Sequence, residues 1–176
     1  GVNNSIFEID GVRVGVEICE DLWVPNPPCE KLVTDYGADI IVNLSASPKL
    51  AGKYNYLKDL VKITSGRLLC SYVYVSSGPW ESSTDLVFSG WSVVYENANK
   101  IAELKPIKSL LEETRYLITD IDIYEIRGAR RKNKIKDDNM SKKLLITEKP
   151  SVAMEFAKAL KITTNRKNGY LESENW

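Results

Sequence analysis

The chain has 176 residues, 43% hydrophobic and 27% charged, with 24 basic and 24 acidic side chains and no histidine. That composition belongs to a folded domain, with room for a small addition, and not to a disordered chain. Zero net charge argues against a basic nucleic-acid surface over the whole length, and the missing histidine excludes Ser-His-Asp triads, Cys-His dyads and Cys-His zinc sites.

Residues 5–9 and 13–18 are short and rich in Ile and Val, and Asp10-Gly11 between them is a hairpin signal. Residues 21–28 form a loop stiffened by Pro25, Pro27 and Pro28. A helix is expected over 28–36, stopped by Gly37. DIIVNL (39–44) is nearly continuous in apolar residues, as a strand buried on both faces would be. Tyr54, Leu57, Leu60, Val61, Thr64 and Leu68 recur at three- and four-residue steps, so 53–69 is an amphipathic helix. Residues 70–76 alternate as a strand, and a Gly/Ser-rich loop follows over 76–84. Three short strands are expected at 86–88, 91–95 and 100–104, another at 116–121, and a helix at 123–130. The order predicts an α/β layered sheet.

The run KNKIKDD (132–138) is charged and lacks a core pattern, so 132–139 reads as a linker between a first domain, 1–131, and a second piece, 140–176. There Met140-Ser141-Lys142-Lys143 resembles a fresh N-terminus. A strand is expected at 144–146 and a helix from Pro150 through Leu160. A piece this short cannot bury a core of its own. The first residue is Gly1, which implies residues upstream.

No apolar run of about 18 residues suggests a membrane span, and no secretory signal is legible. Cys19, Cys29 and Cys70 are far apart without a CxxC, which favours free thiols, a reducing compartment and a cytoplasmic location. Cys19 follows the apolar strand and precedes Glu20-Asp21. A nucleophile at the end of a core strand, on a sharp turn, is held exposed and rigid. The alternative is a buried structural cysteine, which is how Cys29 and Cys70 read. Without histidine, a cysteine nucleophile needs a carboxylate or lysine to handle its proton.

VGVEICEDLW (14–23) resembles the nucleophile motif of the carbon–nitrogen hydrolase (nitrilase) superfamily, and more narrowly the glutaminase domain of glutamine-dependent NAD+ synthetases. NLSASP (43–48) with Gly52-Lys53, then SSGPWESSTDLVFSG (76–90), are similar to that family's next motifs. RGARRKN (127–133) is similar to its exit from the glutaminase domain. The resemblance covers about residues 1–136. It implies the C-terminal half of a nitrilase-type α-β-β-α sandwich, and a Glu-Lys-Cys triad with Cys19 forming a thioester with an amide substrate, glutamine or another small amide. No cofactor is implied for that step. ATP and Mg2+ are implied only for a synthetase domain, which this chain lacks. The family's base and oxyanion lysine precede its cysteine. Only 18 residues precede Cys19, none of them lysine, and Glu8, Glu17 and Glu20 do not match the motifs. The chain alone is therefore expected to be inactive, and the missing half-sandwich and synthetase domain are its expected partners.

By the same resemblance Ser47 and Lys53 align with positions that contact the substrate, although the family often has Arg where Lys53 stands, which puts bidentate carboxylate binding in doubt. Ser47 is equally readable as a turn residue before Pro48. Glu20 is a candidate for the substrate amino group, and Trp23 either lines the pocket or packs on the sheet. Glu81, Ser82, Ser83 and Thr84 match the family's loop without an assigned role.

KKLLITEKPSVAMEFAKAL (142–160) resembles the start of a bacterial type IA DNA topoisomerase, topoisomerase III-like, whose first strand and helix belong to a Toprim domain; NGYLES (168–173) is similar to its next strand. Glu148 matches the Toprim glutamate, a general acid/base, and is equally an acid at a helix N-terminus. Mg2+ and DNA would require the rest of such a domain, including a later Asp-x-Asp pair. Three readings stay open: a hydrolase fragment, a topoisomerase beginning behind a hydrolase remnant, and a non-catalytic module that self-associates or pairs through open sheet edges. Two neighbouring genes, the second starting at Met140, also fit the join.

Overall fold

In the computed structural model, residues 5–107, 116–133 and 158 are described, with the backbone of 165–167 and 170–172. The chain enters through a hairpin, β1 (Ile6–Ile9) antiparallel to β2 (Val12–Ile18), with Ile9 opposite Val12. Asp10 (φ 52°) and Gly11 (φ 76°) are both left-handed, as the two-residue turn that suits twisted strands demands. Next come α1 (Pro28–Thr34), β3 (Ile40–Ser45), α2 (Lys53–Leu68) and β4 (Ser71–Ser76). β2, β3 and β4 are parallel neighbours, and β5 (Ser92–Glu96) and β6 (Asn99–Leu104) continue the sheet antiparallel. The six strands lie in sequence order.

The two faces carry different cores. Ile41, Tyr72, Tyr74, Val93 and Tyr95 pack with Leu32 and Val33 of α1 and Leu57, Val61 and Leu68 of α2. Gly15 lies on this face, where an added Cβ would sit 2.9 Å from Ile41 Cδ1 and 3.2 Å from Leu32 Cβ. The opposite face, Val12, Val14, Ile40, Val42, Val73 and Val94, is covered by Ile121, Ile123 and Ile126 at the start of α3 (Ile123–Lys132). That cover stops short of the strands' C-terminal ends. There Ile18 and Leu44 are 55% and 45% exposed.

α3 is tied down by its arginines. Arg127 donates to both oxygens of buried Asp39, from Nε at 3.1 Å and Nη2 at 2.8 Å, and also to the Gly11 carbonyl. Arg130 donates to the carbonyls of Leu69 and Ala38. Asp39 further accepts the Arg13 amide at 3.0 Å. A bidentate, desolvated pair of this kind fixes both position and orientation. It stands at the N-terminal ends of β3 and β4, so the opposite end of the sheet is left for chemistry.

Two expected strands are corrected. Residues 86–88 form none: the Ser82 and Ser83 hydroxyls accept the amides of Phe88 and Leu86 at 3.0 and 3.1 Å, and such local bonds compete with a ladder. Of 116–121 only Thr119 makes a bridge, because Ile121 turns under α3 and Asp122 gives its amide to Glu96 while capping the helix. The loop expected from residue 21 instead begins with a 3-10 turn, Cys19–Trp23. Tyr54, expected on the buried side of α2, is 37% exposed. The strand expected at 144–146 lies outside the described residues. Of the helix expected through Leu160 only Lys158 is described, and it is helical. β7 (Asn165–Lys167) and β8 (Tyr170–Glu172) pair antiparallel as a separate two-stranded sheet.

Candidate active site

The C-terminal ends of adjacent parallel strands form a natural site, because the loops leaving them diverge and open a crevice. β2 ends at Ile18, and Cys19 follows with φ 47°. A left-handed non-glycine residue costs on the order of 1–3 kcal/mol and persists only where its surroundings enforce it. The enforcement is local. The Asp21 carboxylate accepts the Ile18 amide at 2.7 Å, closing the turn, and Asn43 Nδ2 donates to the Cys19 carbonyl at 3.4 Å. Cys19 itself is half-buried, reachable and held.

Strand register sets the floor of this site. Glu17, Asn43 and Tyr74 form one cross-strand row, and Ser45 pairs with Ser76 in the next. Glu17, 1% exposed, accepts from Asn43 Nδ2 at 3.3 Å, from the Cys29 amide at 3.0 Å and from the Tyr72 hydroxyl. Ser45 Oγ donates to Asn43 Oδ1 at 2.7 Å. Burial, then the Glu17 carboxylate, pushes the Tyr72 phenol well above its ordinary range. Both Glu17 oxygens are engaged and sealed from solvent, so Glu17 supports the elbow and is not poised as a base. Glu17, Asn43 and Tyr74 went unassigned in the sequence. The available signal was polar side chains inside strands otherwise buried on both faces.

The other candidates fall into separate places. Trp23 stacks on Tyr56 with centroids 5.5 Å apart, and Lys53 Nζ lies 5.1 Å from the Trp23 ring centre, a cation–π contact at the start of α2. Ser47 is half-buried just beyond β3, beside the Tyr74 hydroxyl. Glu20 is exposed in the 3-10 turn. Glu81 closes a short 3-10 turn, Pro79–Glu81, whose loop is tied to the sheet end by Ser77 N to Ser45 O at 2.9 Å. Glu148 lies outside the described residues. Cys29 and Cys70 are fully buried; burial pushes Cys70 up to about 12 and Cys29 further, so both are inert thiols beside Cys19. Among the described residues no three or more His, Cys, Asp or Glu side chains converge to hold a metal ion, and no helix is long and apolar enough to cross a membrane.

No family model matches the chain. It is 33% identical over 141 residues to the glutamine-dependent NAD(+) synthetase of Mycobacterium tuberculosis, a match spanning 80% of this chain and 20% of that protein. The solved structure of glutamine-dependent NAD+ synthetase from Acinetobacter baumannii, in complex with ADP, superposes with a TM-score of 0.58 at 26% identity, over 68% of this chain and 22% of that one. A carbon–nitrogen hydrolase from Helicobacter pylori shares the fold, with a TM-score of 0.57 at 16% identity, over 86% of this chain and 50% of that one. The fold is thus a partial carbon–nitrogen hydrolase (nitrilase-type) domain, and the sequence relatives are glutamine-dependent NAD+ synthetases, of whose length the chain spans about a fifth. None of these similarities supports a topoisomerase-like segment at 140–176.

Proposed function

We propose that this chain is the nucleophile-bearing part of a glutaminase, releasing ammonia from glutamine for NAD+ synthesis. The observation that carries the reading is Cys19: a left-handed, half-buried cysteine at the C-terminal end of the parallel strand β2, anchored through Asn43 and Asp21. In the reaction, the Cys19 thiolate attacks the carboxamide carbon. The C–N bond of the tetrahedral intermediate breaks, ammonia leaves carrying the proton delivered to it, and water hydrolyses the thioester to glutamate and regenerates the thiol. Lys53 and Trp23 form one wall for the amino-acid end of the substrate, and Ser47 and Glu20 contribute polar contacts.

The base and the oxyanion lysine are supplied by a partner segment packed over the open end of the second sheet face, where Ile18 and Leu44 are exposed. No cofactor takes part in the amide step; ATP and Mg2+ serve the amidation that consumes the ammonia. A reducing, cytoplasmic setting keeps Cys19 a free thiol.

The test is capture of a glutamine-like chloroketone, followed by intact mass and peptide mapping. One adduct is expected, on Cys19, abolished in Cys19→Ala. Labelling of Cys29 or Cys70 in its place would refute the assignment. The chain alone is expected to turn over no glutamine. Measurable turnover lost in Cys19→Ala would overturn the claim that base and lysine come from elsewhere.

A further inference from the structure

The start of α2 gets little support from its neighbours in sequence. Gly52 stands before it at φ 78°, no side chain caps the helix, and a Cβ added at Gly52 would meet nothing within 4 Å. The first turn is held instead from two sides by contacts distant in sequence. Lys53 and Tyr56 share a helix face, and both meet Trp23: Lys53 Nζ lies 5.1 Å from the ring centre, and the Tyr56 ring stacks on it. Tyr54, roughly 100° further round the helix, meets β6. Its hydroxyl donates to Glu103 Oε1 at 2.6 Å, and its ring meets Trp91 edge-on with centroids 5.2 Å apart.

Glu103 is a fixed acceptor. Its side chain is 8% exposed; Oε1 also accepts Trp91 Nε1 at 3.0 Å, and Oε2 accepts Lys100 Nζ at 2.7 Å. A short, charge-assisted bond from a phenol to a carboxylate held this way is strong and directional. Burial, then the hydrogen bond to Glu103, pushes the Tyr54 phenol up to about 12, so its proton stays on Oη. Lys53 is the opposite case. It is half-buried, and among the described residues no carboxylate pairs with it. Its cation–π contact with Trp23 orients the ammonium and leaves the charge available to an anion. Trp23 closes the 3-10 turn that Cys19 begins, so an anion taken there is tied to the nucleophile's own turn.

We propose that Glu103 and Tyr54 are positioning residues for substrate recognition: they set the first turn of α2 so that Lys53, over Trp23, presents its ammonium to the free α-carboxylate of an amino-acid amide. Neither touches the substrate. A lysine is a point charge on a flexible stem, so it depends on such placement more than a forked arginine would. The inference deepens the glutaminase reading and rests on it, with Cys19 as nucleophile and Lys53 in the substrate wall.

The experiment is alkylation of the full chain by a glutamine-like chloroketone, followed at Cys19 by peptide mass, with iodoacetamide as the probe that has no amino-acid end. Saturation separates the half-saturating concentration from the limiting rate. Tyr54→Phe keeps the ring against Trp91 and removes only the bond to Glu103. It should raise the half-saturating concentration roughly fivefold, the worth of one ordinary hydrogen bond, and leave the limiting rate and the iodoacetamide rate unchanged. Lys53→Met should raise it about tenfold or more. Adding Tyr54→Phe to Lys53→Met should change nothing further, because a residue that acts only through another is not additive with it. Glu103→Ala should match Tyr54→Phe, and Glu103→Gln, which keeps the acceptor, should match wild type. An unchanged half-saturating concentration in Tyr54→Phe overturns the proposal. So do additive effects in the double variant, and so does an equal slowing with iodoacetamide, which would mean a general disturbance of the turn. Labelling of wild-type Cys19 that never saturates, or labelling of Cys29 or Cys70 in its place, refutes the glutaminase reading and the proposal with it.

Discussion

Arg127→Met tests the claim that α3 is locked by charge and not by its few apolar contacts. In the native chain the side chains of Arg127 and Asp39 are 3% and 0% exposed, and two hydrogen bonds at 3.1 and 2.8 Å join them. Methionine keeps most of the aliphatic stem but leaves the Asp39 carboxylate buried. Its remaining partners are the Arg13 amide and, at 3.6 Å, Arg130 Nη1. The Gly11 carbonyl loses its 2.6 Å donor as well. Removing one partner of a buried pair costs about 3–5 kcal/mol, because the other charge stays desolvated. Against a domain stability of about 5–15 kcal/mol that is a large fraction. With a urea slope of about 1–3 kcal/mol per molar, the midpoint should fall by roughly 2 M, followed by the fluorescence of buried Trp91. Arg127→Lys should fall between, since it keeps charge without the fork. A shift below about 0.5 M for Arg127→Met would refute the reasoning and return α3 to Ile123 and Ile126.

Glu103 gives a pH dependence with a definite sign. Burial pushes its carboxyl up, but hydrogen bonds from Lys100, Tyr54 and Trp91 outweigh that and hold it at about 2, below the ordinary 4.5. A depressed carboxylate stabilises above its unfolded pKa and stops doing so as pH falls toward the folded one. The difference in melting temperature between wild type and Glu103→Gln should therefore be full above pH 4.5 and shrink toward pH 2; a difference constant with pH would contradict it. Gly15→Ala pushes a methyl into Ile41 and Leu32 where α1 meets the sheet. Overpacking of this kind costs about 1–3 kcal/mol, read as a lower urea midpoint, and an unchanged midpoint would mean that α1 slides freely.

Periodicity carried most of the fold because the core is built from it. Ile40, Ile41 and Val42 are buried on both faces mid-sheet, and the three- and four-residue steps of α2 bury Leu57, Val61, Thr64 and Leu68. The reading failed where side chains replaced ladder partners, at Ser82 and Ser83 and at Asp122. Cys19 was a candidate from the sequence because its motif is contiguous. Glu17, Asn43 and Tyr74 were not, because they meet only through the register of three strands 26 to 57 positions apart. Arg127 and Arg130 read as an exit run. Their spacing on the same helix as Ile123 and Ile126 was the clue to burial, but Asp39, 88 residues earlier, could be supplied only by the fold.

The arrangement divides labour along the parallel strands. At their N-terminal ends Asp39 binds Arg127 and the Arg13 amide, a fully desolvated lock that keeps α3 pressed on one face. At their C-terminal ends Glu17 and Asn43 are satisfied and hold the backbone of the elbow. A satisfied network is stiff, because breaking any bond in it exposes a buried charge or amide. That stiffness lets a cysteine sit at φ 47° without relaxing. The Asp39 lock at the N-terminal ends holds the sheet and α3 in place, and so supplies the rigid frame on which the turn at the C-terminal ends is held.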